Sequence, residues 1–320
     1  MATNDYCNIA VRGNHDVADL LPSLLPGAAF VAPVAGGSIV FPEPDAATPH
    51  VGDFLAHSLS CATHGAVLLS EVSGDVLRLR LFDDGVTVDE YVAETPDDGV
   101  PTGGNAPALL ATFGAPASDA EFLAPLLRAS RFDDDYGYGA ASDRHAEIAD
   151  LLGVPTVAGI GYEAITQGKL PEGIAQSDLR QFAGTGSYLQ EFTLLRVPDG
   201  TSETEVASYV LPDMVSLERG IEVDDWVSDF GTLATVRETI ADAADVVAPS
   251  DADWLTAAAG DAALHFDFGF RNDVDTVETI RVFVSAPLGT TNTALRRLAD
   301  IAQAVSATVW DWRTRRVVVR

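Results

Sequence analysis

Three side chains able to bind a soft metal stand at helical spacing. His57, Cys61 and His64 fall at i, i+4 and i+7, one stripe of any helix that carries them. Nitrogen and thiolate ligands in that pattern would hold zinc, with a fourth ligand from elsewhere in the chain. The structural alternative makes Cys61 a small core residue, His57 a core-edge residue and His64 a helix-end residue before Gly65. A second group surrounds His145, with Asp143, Arg144 and Glu147 beside it and Tyr162 in reach if the following turn folds back. A histidine polarised by carboxylates is what proton transfer needs. Arg144 and Asp143, or His145 and Glu147, do not share a helix face at these spacings, so packing or helix-end capping competes with chemistry here.

Other patterns are weaker. Gly159, Gly161 and Ala164 fit GxGxxA, but that fingerprint needs a strand before the glycines and a helix after them. Pro155 leaves only Thr156 to Ala158 as a stub of strand, so a tight turn on which Tyr162 packs is the competing reading. Asp133, Asp134 and Asp135 suggest a calcium loop by composition, yet the sixth and twelfth positions are Tyr138 and Arg144 where glycine and glutamate are needed. No Gly-x-Ser-x-Gly elbow occurs, and Gly184-Thr185-Gly186-Ser187 lacks the lysine of a phosphate loop. At the C-terminus, Trp310 and Trp312 precede Arg313, Arg315, Arg316 and Arg320. This locally basic and aromatic patch is either a contact surface for an acidic or apolar partner or a terminal strand anchored by its own tryptophans.

The elements that must position these groups can be read from periodicity. Helical patterns run over Asn14–Leu25, with Pro22 as a potential break, and over Val51–His64, stopped by Gly65. Phe30–Val34 and Ser38–Phe41 read as a hairpin. Ala66–Val72, Val76–Phe82 and Val86–Val92 read as an antiparallel meander in which Val76, Arg78 and Arg80 oppose Leu77, Leu79 and Leu81. Helices are expected over Asn105–Phe113, Ser118–Ala129 and Ser142–Leu152, then strands over Tyr188–Val197 and Glu205–Leu211. Gly231–Val247 reads as a helix, and the last 60 residues as strands Ala263–Phe270 and Val277–Ala286, helix Asn292–Val305, and strands Thr308–Trp312 and Arg316–Val319. Helices that follow a meander without strand-helix alternation predict an α+β fold: a meander with flanking helices, then a smaller ββαββ-type unit. The expected domains are 1–186 and 187–320, divided near Gly184-Thr185-Gly186.

The segment Ser142 to Gly173 resembles a motif in a group of bacterial proteins of unassigned function. The residues carrying it are Arg144 and His145, Leu152-Gly153-Val154-Pro155, Gly161-Tyr162 and Gly168-Lys169-Leu170-Pro171. The likeness covers at most the N-terminal half and implies no activity.

Charge bounds the partners. The formal net charge is −29, and the 19 bases include one lysine, Lys169. Such a surface repels phosphate backbones and anionic membranes, so no direct nucleic-acid or membrane partner is expected. The acids are scattered from Asp5 to Asp311, which fits adaptation to high salt better than a dedicated acidic mimic. Cys7 and Cys61 make no disulfide framework, and the reading is cytoplasmic. No cofactor is expected. Two function classes remain: a non-catalytic protein-interaction module of inhibitor, immunity or adaptor type, and an enzyme or small-ligand binder around His145, Gly161 and Tyr162.

Overall fold

The leucine and arginine alternation along Val76–Asp83 sets up two faces of one sheet, because successive side chains of a strand point to opposite sides. The computed structural model describes residues 5–25, 27–44, 50–74, 76–93, 101–128, 140–154, 157–183, 188–210, 228–244, 254–259, 262–270, 276–286 and 291–319. They fall into two compact units, residues 5–44 with 50–183 and residues 188–319. The fold is α+β, with an antiparallel sheet in each unit. The aspartate run 133–135, the glycine-rich stretch 184–186, Pro155 and Arg320 lie outside the described residues.

In chain order the first unit contains β1 (Tyr6–Arg12), α1 (Val17–Leu24), β2 (Ala29–Val34), β3 (Gly37–Pro42) and α2 (Val51–Thr63). The meander follows as β4 (Ala66–Ser73), β5 (Val76–Asp83) and β6 (Val86–Val92), then β7 (Thr102–Gly103). Helices α3 (Ala106–Phe113), α4 (Ala120–Arg128), α5 (Ala141–Leu151) and α6 (Tyr162–Thr166) precede the short strand β8 (Arg180–Phe182). The eight strands are ordered β7-β6-β5-β4-β1-β3-β2-β8. The meander is thus three strands of an eight-stranded sheet, with β4 and β1 at its centre.

One face packs Leu77, Leu79, Leu81, Leu68, Tyr6 and Phe41 with residues from α3 to α6. On the other face lie Ile9, Val40, Val67, Leu69 and Phe82, all buried, on the side to which α2 brings Leu55 and Leu59. Two details depart from expectation. Helix α1 runs through Pro22, whose missing amide costs one bond in an eight-residue helix while Leu21 stays fully buried. His64, not Gly65, adopts the left-handed conformation that ends α2, at φ 49°.

The second unit contains β9 (Tyr188–Leu195), α7 (Glu203–Val210), α8 (Leu233–Ala244), β10 (Trp254–Ala259), β11 (Ala262–Phe270) and β12 (Val277–Ala286). It ends with α9 (Thr291–Ala304), β13 (Thr308–Asp311) and β14 (Arg316–Val319). Its sheet is ordered β10-β11-β12-β9-β13-β14. The terminal ββαββ segment therefore closes only with β9 inserted between its two hairpins and β10 at one edge. Residues from α8 and α9 pack with Phe192, Leu264, Phe266 and Val282 of one face.

The strand expected over Glu205–Leu211 is helix α7. Ser202 and Glu205 form a capping box: the Ser202 amide donates to Glu205 Oε2 at 2.6 Å and the Glu205 amide to Ser202 Oγ at 3.3 Å. That reciprocal cap starts a helix in a stretch whose valines alone suggested a strand.

Candidate functional site

Helix α5 delivers Arg144 and His145 into the core, and both are buried. Tyr6 on β1 meets the imidazole: its hydroxyl lies 2.8 Å from His145 Nδ1, and the rings stack with centroids 5.7 Å apart. Burial pushes the Tyr6 phenol up to about 12 and lowers His145 to about 4, so both are neutral at pH 7. The Gly159 backbone amide also acts on the phenol oxygen. The arrangement satisfying all three groups has Gly159 N–H donating to that oxygen and the phenol donating to Nδ1, which leaves the imidazole proton on Nε2. Arg144 Nη1 donates to Tyr91 Oη at 2.9 Å.

The glycine turn is docked on the same strand. Asn8 Nδ2 donates to the Val157 and Ile160 carbonyls, each at 3.4 Å. A Cβ at Gly161 would lie 2.8 Å from Tyr6 Cβ, so that glycine allows the turn to reach β1. Helix α6, which follows, has five residues. Among the described residues the turn is a packing contact, and no strand precedes it and no long helix follows it as a pyrophosphate site needs. Tyr162 rests on Phe30, ring centroids 5.0 Å apart, whereas the partner of His145 is Tyr6. The tyrosine on β1 was not singled out by the sequence, since Tyr6 and His145 are 139 positions apart.

On α2 the structure brings together His57 and Cys61, with Nε2 and Sγ 3.6 Å apart and the His57 ring edge-on to Phe82. His64 turns to solvent and pairs with Asp84, Nδ1 to Oδ1 2.7 Å. Cys61 is exposed and so is not a small core residue; partial desolvation, with Asp84 adding to it, raises its thiol and disfavours the thiolate that zinc or nucleophilic chemistry requires. Among the described residues no three of His, Cys, Asp and Glu gather as metal ligands. Elemental analysis of the purified chain is expected to give zinc far below one equivalent. One equivalent lost on replacing Cys61 by serine would establish a site instead.

The start of α2 carries a buried ion network. Asp53 is fully buried and accepts from Arg78 Nη1 at 2.9 Å, Arg78 Nη2 at 3.1 Å and Arg80 Nη1 at 3.1 Å. Arg78 also donates to Glu71 and Glu90, each at 3.0 Å. Burial alone would weaken the Arg78 charge, but Asp53, Glu90 and Glu71 outweigh it and hold the guanidinium well above its ordinary value. Desolvation, reinforced by Glu71 and Asp53, keeps the Cys7 thiol protonated. The arginine face of β5 is thus an ion network under a helix, and Arg80 also lies over the Phe82 ring, 5.3 Å from its centroid.

In the second unit Trp310 is buried with Leu195, Val206 and Val210, and Trp312 packs against that cluster. Trp312 Nε1 donates to Thr193 Oγ1 at 2.9 Å. The tryptophans anchor the terminal hairpin from within. Its surface is made by Arg313, Arg315, Arg316 and Val318, all exposed. Asp311 shapes the turn, accepting from the Arg313 amide at 2.9 Å and from Thr314 Oγ1 at 2.8 Å. The Val317 amide donates to Glu203 Oε1 on α7 at 3.0 Å. Elsewhere in this sheet His265 lies between Thr256 Oγ1 and Ser285 Oγ, each at 3.1 Å, and burial lowers it to about 4.

The described residues include no helix long and apolar enough to cross a membrane. Compared with known proteins, the chain matches no family model, no curated protein and no solved structure.

Proposed function

We propose that this chain is a cytoplasmic, non-catalytic protein-interaction module of inhibitor, immunity or adaptor type, and that its C-terminal hairpin recognises an acidic extended segment of a protein partner. The observation that carries this reading is a local inversion of charge: in a chain of net charge −29, exposed Arg313, Arg315 and Arg316 cluster at one turn and the edge strand after it. Beside them Val318, 49% exposed, offers an apolar contact on the same strand. The net negative charge disfavours an acidic partner elsewhere on the surface and so favours approach at this basic patch. Within the chain the Val317 amide of that edge strand already donates to one carboxylate, Glu203 Oε1, the type of contact an acidic segment would make. The buried placement of Arg144 and His145 supports a bracing part for the other candidate cluster.

The test is affinity capture with the full chain and with the Arg315→Glu/Arg316→Glu variant, at low and high salt. A protein with an acidic segment should be retained by the native chain and bound about tenfold more weakly by the variant, with added salt eroding the difference. Retention of the same proteins by both chains, or of none at either salt, would overturn the proposal.

A further inference from the structure

A cleft of about 590 Å³ opens in the first unit where the start of α1, the β2–β3 hairpin and β8 meet. None of the candidate-site residues described above lines it. Its volume falls within the range of small-molecule sites, about 300–1,000 Å³. The wall is divided by chemistry. Exposed Pro33 and half-buried Val34 supply an apolar side, with Val17 and Val31 buried beneath the cleft as members of the core. Opposite charges supply the other: Arg180 Nη1 lies 3.6 Å from Asp16 Oδ1. His15 and Ser38 add polar groups at the same rim. The His15 ring comes close to Gly13, where a Cβ would lie within 2.6 Å of Nε2 and where φ is +101°.

We infer that this cleft binds a free α-amino acid with a large apolar side chain. The ligand's carboxylate meets Arg180, its ammonium meets Asp16, and its side chain lies along Pro33 and Val34. Both members of the Arg180–Asp16 pair are more than half exposed, so their mutual attraction is small and they exchange it readily for ligand contacts. An α-amino acid suits the geometry because its two charged groups are neighbours, as the two protein groups are. A simple anion would gain Arg180 but face Asp16 and a chain of net charge −29, and a simple cation would face Arg180. The zwitterion avoids both penalties, and the apolar wall then selects its side chain.

Calorimetric titration of the full chain with L-phenylalanine, 2-phenylethylamine and 3-phenylpropanoate tests this directly. L-phenylalanine is expected to bind with Kd of about 1 mM or tighter, and each single-charge analogue about tenfold more weakly or worse. Arg180→Ala and Asp16→Asn should each weaken L-phenylalanine binding about tenfold while leaving the melting temperature nearly unchanged, since the pair is exposed. Absence of saturation at about 10 mM L-phenylalanine, equal binding by both analogues, or full binding by a folded Arg180→Ala chain would each overturn the assignment.

Discussion

Asp53→Ala is expected to destabilise the first unit by about 3–5 kcal/mol, the range found when one partner of a buried ion pair is removed. The carboxylate is fully buried and takes three of the guanidinium hydrogen bonds that Arg78 and Arg80 make. Without it Arg78 keeps Glu71 and Glu90, while Arg80, itself buried, loses the carboxylate it meets at 3.1 Å. Salt will not rescue the loss, because ions do not reach a pair sealed under α2. Denaturant unfolding of the two chains measures the effect. A loss below about 1 kcal/mol would show that the network is hydrated and that its members act as surface charges. A companion variant, Asp53→Leu with Arg80→Met, should recover much of the stability, since replacing both partners removes the uncompensated charge.

The second large effect is a loss of stability in mild acid. His145 and His265 each have a folded value of about 4 against an ordinary 6.5, and burial is the cause in both cases. The sign follows from proton counting: between those values the unfolded chain binds a proton that the folded chain refuses, so stability is full above about pH 6.5 and falls as pH drops towards 4. At pH 5 the loss is about 2 kcal/mol for each histidine. His145 acts on the first unit and His265 on the second. Denaturation midpoints at pH 7.5 and 5 should therefore fall for both units, and His145→Gln should flatten the pH dependence of the first alone. An unchanged slope in that variant would mean that other groups, such as the many carboxylates, set the acid response.

Several parts of this fold are legible in the amino-acid sequence alone. The meander was legible because β5 alternates leucine with arginine and its turns carry Gly74 and Asp84-Gly85. Strand β1 was not, because both its faces are buried and it shows no alternation of apolar and polar residues. Strand β10 was missed as well; it is a six-residue edge strand with three alanines in succession. Helix α7 was misread because apolar spacing outweighed a capping box that was present in the sequence, Ser202 with Glu205. Of the candidate site residues, the i and i+4 pair His57 and Cys61 came together because helical geometry alone decides that contact. His64 did not join them, since a left-handed residue at the end of α2 sends its side chain elsewhere.

By itself, then, the amino-acid sequence determined what is local or summed: the α+β class, the meander, most helices, and the acidity with its arginine-rich exception at the C-terminus. Those follow from side-chain periodicity and from charge counting, neither of which requires knowing what lies across the fold. Only the tertiary structure decided the pairing of Tyr6 with His145, the placing of Asp53 beneath Arg78 and Arg80, and the assembly of a cleft from His15, Asp16, Ser38 and Arg180. Each joins residues brought together by strand order, with β1 in the middle of its sheet and β8 at the edge. Strand order is set by long-range burial of whole faces, a property that no window of the sequence contains.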